Sequence, residues 1–218
     1  MLISTKYKFI FIHNYKVAGR SLSDSLIKYA AKDPVASHFG IKIAESNALL
    51  GKIYKKICKK VGIDYFEAHN NAKQIMDKVG YKIWNSYFKF GLVRNPWDWQ
   101  VSLYHYMLQN KNHHQHKIIK KMYNFDQYIK WRVYYDKRLQ KDFFYNEERE
   151  SIIDYIGKFE HLQKEFNYIC SKLGINSQLP HKNASKREKN YRKYYNEETK
   201  DLVCKHFAED INLFGYQF

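Results

Sequence analysis

The sequence predicts an α/β fold of three layers, a mostly parallel central sheet with helices on both faces. Three observations lead there. Short apolar runs at 8–13 and 87–93 have strand character and pass almost at once into helical spacing. Strand and helix patterns alternate along the chain, which is the layout of parallel strands joined by crossover helices. No internal repeat or Pro/Gly-rich linker divides the 218 residues, so a single domain over 1–218 is expected.

Lys8-Phe9-Ile10-Phe11-Ile12-His13 reads as a buried strand. Leu22, Leu26 and Tyr29/Ala30 then recur at helical spacing, so a helix begins near Gly19. Helical spacing returns over 44–60, and Ile63 to Glu67 reads as a second strand ending at Ala68-His69. Ala72 to Val79 makes a short helix stopped by Gly80. A third strand over 87–93 is followed by Pro96 at a helix start and a helix over 97–108. The polar, aromatic stretch 111–150 is helical around 125–133, and 152–157 is a fourth strand candidate. Phe159, Leu162, Phe166, Ile169/Cys170 and Leu173 form an apolar helix stripe closed by Gly174. A basic stretch over 181–195 leads into a last helix carrying Leu202, Val203, His206, Phe207 and Ile211 on one face.

Lys and Arg number 38 against 22 Asp and Glu, a net charge of +16 that implies an anionic partner or a basic solvated surface. Nucleic acid, acidic lipid, acidic polysaccharide and phosphorylated nucleotides all satisfy it. The N-terminal residues lack a signal-peptide layout and no apolar run approaches membrane-spanning length, so neither a leader nor an anchor is expected. Cys58, Cys170 and Cys204 are widely spaced, which argues against a disulfide framework or a zinc site. Cys170 and Cys204 are expected to be buried thiols in helices, and a reducing cytoplasm is the expected compartment.

Two segments carry chemistry. His13-Asn14-Tyr15-Lys16-Val17-Ala18-Gly19-Arg20-Ser21-Leu22 joins the first strand to the first helix. Backbone N–H groups and the positive helix end converge in such a loop, Gly19 admits a close anion, Lys16 adds charge and Ser21 a hydroxyl. The nucleoside-triphosphatase form GxxxxGK[ST] is not met, because Lys16 stands five residues before Ser21. The second segment is Phe90-Gly91-Leu92-Val93-Arg94-Asn95-Pro96-Trp97-Asp98-Trp99-Gln100-Val101-Ser102-Leu103-Tyr104. Arg94 leaves a strand end and Ser102 lies about two turns into the following helix, both suited to a second phosphate at the carboxyl edge of the sheet.

Taken together, the two segments resemble the sulfotransferases that use 3′-phosphoadenosine 5′-phosphosulfate (PAPS), particularly the branch acting on carbohydrates. That family shows H-x-P-K-T-[AG]-G-[TS]-[ST], matched by His13 to Ser21, and F-x-x-V-R-N-P-x-D-R-x-V-S-x-Y, matched by Phe90 to Tyr104. The resemblance continues through 156–162, 179–183 and 208–216. It implies a phosphate-binding core related to P-loop nucleotide hydrolases and sulfuryl transfer to a hydroxyl, without a metal. In this resemblance Lys16, Val17, Ala18, Gly19, Arg20, Ser21 and Leu22 hold the 5′-phosphosulfate, with Lys16 on the bridging oxygen. Arg94 and Ser102 hold the 3′-phosphate, and Lys182, Lys186 and Arg187 are further donor contacts. The base is expected between the two motifs, where His69 is preferred and Glu67 is the rival; His13 or His105, outside that segment, could also reach the site. An ordinary imidazole, titrating near ~6.5, suits proton removal at neutral pH.

Four positions depart from the family pattern. Tyr15 stands for Pro, Val17 and Arg20 for Thr, and Trp99 for Arg, so the loop loses hydroxyl donors and the stiffness of a proline. The His113-His114-Gln115-His116 run reads as a solvated loop, with no carboxylate or Cys at ligand spacing. The expected partners are the nucleotide donor, whose product is 3′-phosphoadenosine 5′-phosphate (PAP), and a saccharide or glycolipid acceptor, not nucleic acid. A P-loop nucleotide kinase, or a non-catalytic basic protein binding nucleic acid or glycans, remains the alternative.

Overall fold

The structure, a computed structural model, describes residues 1–30, 69–136, 138–180 and 187–218. They group into two compact units, 1–92 with 142–181 and 93–141 with 182–218. The helix expected over 44–60, the strand expected over 63–67, and Cys58 lie outside the described residues.

The first unit is built on a sheet of order β1-β2-β3-β4, formed by β1 (Leu2–Ser4), β2 (Phe9–Ile12), β3 (Phe88–Val93) and β4 (Tyr155–Lys158). β1 runs antiparallel to β2, and β2 runs parallel to β3 with Phe9 opposite Phe88 and Ile12 opposite Gly91. Alternation along the strands sends Phe9, Phe11, Phe90 and Leu92 to one face. There they meet Val17, Leu22 and Leu26 from α1 (Gly19–Ala30) and its approach, and Phe166, Ile169 and Cys170 from α7 (Leu162–Leu173). Each fully buried Val, Leu, Ile and Phe among them contributes roughly 1.5–3 kcal/mol of transfer energy.

The opposite face is covered too. Ile10 and Ile12 are fully buried, and a Cβ on Gly91 would run into the Phe144 ring. Lys89 also points this way, and its ammonium is neutralised by Asp154 at 2.9 Å and capped by the Tyr87 and Trp84 carbonyls. Strand β4 starts three residues later than the apolar pattern 152–157 suggests, because Asp154 is engaged with the Lys89 backbone through both its N–H and its carboxylate. The helix α2 (Ala72–Val79) starts on a capping box between Asn71 and Gln74 and stops at Gly80, as expected; a short α3 (Tyr81–Ser86), not foreseen, leads into β3. Gly174 closes α7 in the left-handed conformation, φ +60.

The second unit contains α4 (Pro96–Gln109), α5 (His116–Ile119), α6 (Phe125–Tyr135), α8 (Glu197–His206) and α9 (Ala208–Phe214). The last helix is thus two: the chain turns at Phe207, whose ring is buried edge-on against Trp99. Arg132 is buried beside the same two rings and bonds Gln100 and Asp136. Cys204 is exposed, contrary to the buried thiol expected, because the α8 face that carries Val203 inward turns its neighbour outward. No helix among the described residues is long and apolar enough to cross a membrane.

Candidate active site

In the first unit the loop between β2 and α1 carries an unusual backbone. Lys16 and Ala18 both have positive φ, +56 and +59, with Val17 between them in the ordinary range. Alternating the sign of φ over successive residues turns their N–H groups to one concave side, a nest for an anion, just before the N-terminus of α1. Left-handed non-glycine residues are disfavoured by about 1–2 kcal/mol each, so the surroundings must hold them. Asn14, fully buried, does so: its Nδ2 donates to the Leu92 carbonyl at 3.3 Å, and its Oδ1 accepts from the Tyr15 N–H at 2.6 Å. The proline missing at position 15 is thus replaced by side-chain bonds from position 14. Val17 is fully buried and anchors the nest to the core, Ser21 is buried in the first turn of α1, and Arg20 is exposed.

Gly19 is required sterically: a Cβ there would coincide with the His13 imidazole. Burial pushes the His13 imidazole well below its usual range, reinforced by the positive charge of the amino terminus. His69 lies against this loop. Its Nδ1 is 2.9 Å from the His13 carbonyl oxygen. A carbonyl can only accept, so Nδ1 carries the proton and the lone pair resides on Nε2. The imidazole rings of His13 and His69 are 4.7 Å apart, and the Tyr15 ring stacks on His69 at 4.0 Å.

In the second unit Arg94 is held from three sides. Its N–H donates to Gln140 Oε1 at 2.9 Å and its carbonyl accepts from Gln140 Nε2 at 2.7 Å. The buried carboxylate of Asp210 fixes the Gln140 and Lys141 N–H groups in turn. The Arg94 guanidinium donates through Nε and Nη2 to one oxygen of Asp98, at 2.8 and 2.6 Å. The other oxygen of Asp98 accepts from Arg187 at 2.6 Å. Two guanidiniums thus share one carboxylate, and all three side chains are at most 13% exposed. Ser102 follows Asp98 by one helical turn on the same stripe of α4 and is buried. His105 is held below its usual range by burial and by the Arg187 charge.

The sequence model of the sulfotransferase family matches residues 1–217. The chain belongs to the sulfotransferase family. Among solved structures, mouse sulfotransferase SULT7A1 complexed with PAP is similar with a TM-score of 0.54 and 13% identity, over 96% of this chain and 86% of that one. A sulfotransferase from Alicyclobacillus acidocaldarius aligns at a TM-score of 0.42 and 13% identity, over 97% and 96%. An uncharacterized protein of Archaeoglobus fulgidus is 29% identical over 126 residues, 56% of this chain and 97% of that protein. The likeness to SULT7A1 establishes the fold, the α/β fold of sulfotransferases with its P-loop-like core.

Of the residues singled out in this sulfotransferase from its sequence, Lys16 to Leu22 and His69 come together in the first unit, and Arg94, Ser102 and Arg187 belong to the second. Lys182, Lys186 and Glu67 lie outside the described residues. His105 sits in α4 against the Tyr194 ring, with its Nε2 buried and unbonded among the described residues. Sequence reasoning missed Asn14, Gln140, Asp98 and Asp210 as the groups that hold the loop and Arg94. Asp98 was legible, four residues after Arg94 at a helix start. Gln140 and Asp210 had no signal, being 46 residues from Arg94 and 70 from Gln140 respectively. Among the described residues no group of three or more His, Cys, Asp or Glu could hold a metal ion.

Proposed function

We propose that this sulfotransferase moves a sulfuryl group from PAPS to a hydroxyl of a carbohydrate, with His69 as the general base. The observation that carries the reading is the nest at Lys16–Ala18. Positive φ at two non-glycine residues costs free energy, and an anion bound to the N–H groups of this turn would offset it. The loop would hold the 5′-phosphate end of the donor, Lys16 would meet the negative charge that grows on the bridging oxygen, and Ser21 would add a hydroxyl donor. Arg94 and Ser102 would grip the 3′-phosphate, helped by Arg187. SULT7A1, the similar structure, was solved with PAP, which supports the same nucleotide here. The carbohydrate acceptor rests on the resemblance of both motifs to the carbohydrate branch.

The acceptor oxygen attacks sulfur as the bond from sulfur to the bridging oxygen breaks. The hydroxyl proton passes to Nε2 of His69, and PAP leaves. The Nδ1 bond to the His13 carbonyl supports this role, because it leaves Nε2 as the acceptor. Preorganised charge and positioning would supply most of the acceleration.

Calorimetry with PAP, AMP and ATP, without metal, tests the donor. PAP should bind at least about tenfold tighter than AMP, a difference of ~1.4 kcal/mol, and Arg94→Ala should erase it. Equal affinity for PAP and AMP would overturn the donor assignment, and sulfuryl transfer that survives His69→Ala would move the base elsewhere.

A further inference from the structure

We propose that the segment 111–123, which joins α4 to α6 in the second unit, docks on the surface of an anionic lipid bilayer, whichever hydroxyl the enzyme sulfates. The positive charge of this chain is unevenly laid out. From 99 to 125 there is no Asp or Glu, while Lys111, Lys117, Lys120 and Lys121 are present. All four lysines are exposed, and none forms an ion pair among the described residues. The acids that border the segment along the chain are engaged elsewhere. Asp98 is held by Arg94 and Arg187, Asp126 by Asn196 Nδ2 at 2.9 Å, and Asp136 by Arg132 and Arg138. The lysine charge is therefore locally uncompensated.

The segment is also a fixed surface. Ile119 is fully buried and His116 Nδ1 donates to the Met107 carbonyl at 2.8 Å, which ties α5 to α4. The Lys121 and Met122 N–H groups donate to the Ile118 and Ile119 carbonyls, so the chain keeps turning past the end of α5. Lys117, Lys120 and Lys121 then lie on one side, at spacings of three and four residues. Among them Ile118 is 48% exposed, and Tyr123 just beyond is 92% exposed. That mixture suits the boundary between water and lipid. Ammonium heads meet anionic headgroups while their methylene stems and Ile118 rest against the acyl boundary, and a tyrosine ring belongs at headgroup level. An acidic polysaccharide would satisfy the lysines and leave Ile118 in water; a bilayer satisfies both. The apolar area is too small to hold alone, so anionic lipid should be required.

Each lysine near an anionic surface is worth about fivefold in affinity. Cosedimentation of the full chain with vesicles, without nucleotide, tests the surface. Binding is expected to vesicles of equimolar phosphatidylcholine and phosphatidylserine, not to phosphatidylcholine alone, and should weaken as salt rises from about 0.05 to about 0.5 M. The triple variant Lys117→Ala, Lys120→Ala, Lys121→Ala should lose at least about tenfold in partition, and the matching triple arginine variant should keep the parent's affinity. Ile118→Ser with Tyr123→Ser should lose about 3- to 10-fold with every lysine in place. All these side chains are exposed, and an unchanged Tm in each variant shows that the fold is intact. Equal binding to both kinds of vesicle, or an unaltered triple alanine variant, would overturn the proposal. So would a heparin oligosaccharide bound through the same lysines with Ile118→Ser and Tyr123→Ser without effect on vesicle binding, which would assign the patch to an acidic polysaccharide.

Discussion

Replacing Asp98 by Ala removes a carboxylate that Arg94 and Arg187 share. Arg94 donates to it through two nitrogens and Arg187 through one, all at 2.8 Å or less. The side chains are only 8%, 13% and 7% exposed for Arg94, Asp98 and Arg187, so water screens little of the interaction. Breaking a buried pair by removing one partner costs about 3–5 kcal/mol, because the other charge is left uncompensated. Here two guanidiniums lose the same carboxylate at once, and their mutual repulsion is no longer screened by it. Asp98 also lies in the first turn of α4, where a carboxylate adds ~0.3–1 kcal/mol against the helix dipole. A loss of about 3–5 kcal/mol is therefore expected, equivalent to a fall of roughly 6–20 °C in Tm for a chain of this size. Urea denaturation followed by circular dichroism, without nucleotide, measures it. The double variant Asp98→Ala with Arg187→Met should lose at least about 1 kcal/mol less than the two single losses summed, since one orphaned cation is gone. A loss under about 1 kcal/mol for Asp98→Ala, or strict additivity in the double variant, would refute the charge-sharing account.

Three further outcomes follow from the nest and its surroundings. Gly19→Ala should destabilise by about 1–3 kcal/mol through overpacking against His13, and His13→Ala in the same chain should recover part of it in thermal unfolding. Ala18→Gly should raise stability or leave it unchanged, by up to about 1 kcal/mol, because glycine adopts the positive φ of +59 without strain; a clear loss would contradict the strained loop. Burial keeps His13 neutral in the fold, and His105 is lowered the same way to a smaller extent. Below about pH 6.5 the unfolded chain takes up protons that the fold refuses, so this stability is present above that pH and drains away as pH falls, by up to ~1.4 kcal/mol per unit for His13. Urea midpoints from pH 7.5 to 5.5 should fall more steeply in the parent than in His13→Gln, and parallel slopes would contradict the assignment.

The elements with strong periodicity were legible before the fold was known. The α1 stripe of Leu22 and Leu26, the stop at Gly80, the strand before Arg94 and the close of α7 at Gly174 all lie where the residues place them. These features are local, set by side-chain spacing and by one residue's backbone preference. The family was legible as well, because the Lys16 and Arg94 motifs are contiguous stretches of chain. The failures are of another kind. Strand β1 is only three residues long, too short to show alternation, and it exists because it pairs with β2. Phe207 splits the last helix and Cys204 faces outward, both decided by what packs against α8.

What the amino-acid order determined alone was the α/β class, the phosphate-loop and Arg94–Ser102 motifs, and the family to which they belong. Tertiary structure decided which groups hold those motifs in place. Asn14 reaches the end of β3, Gln140 clasps Arg94 from both sides, Asp98 joins Arg94 to Arg187, and Tyr15 lies on His69. A motif's chemistry is carried by neighbours in sequence, whereas its rigidity depends on partners that meet only when the chain has closed on itself.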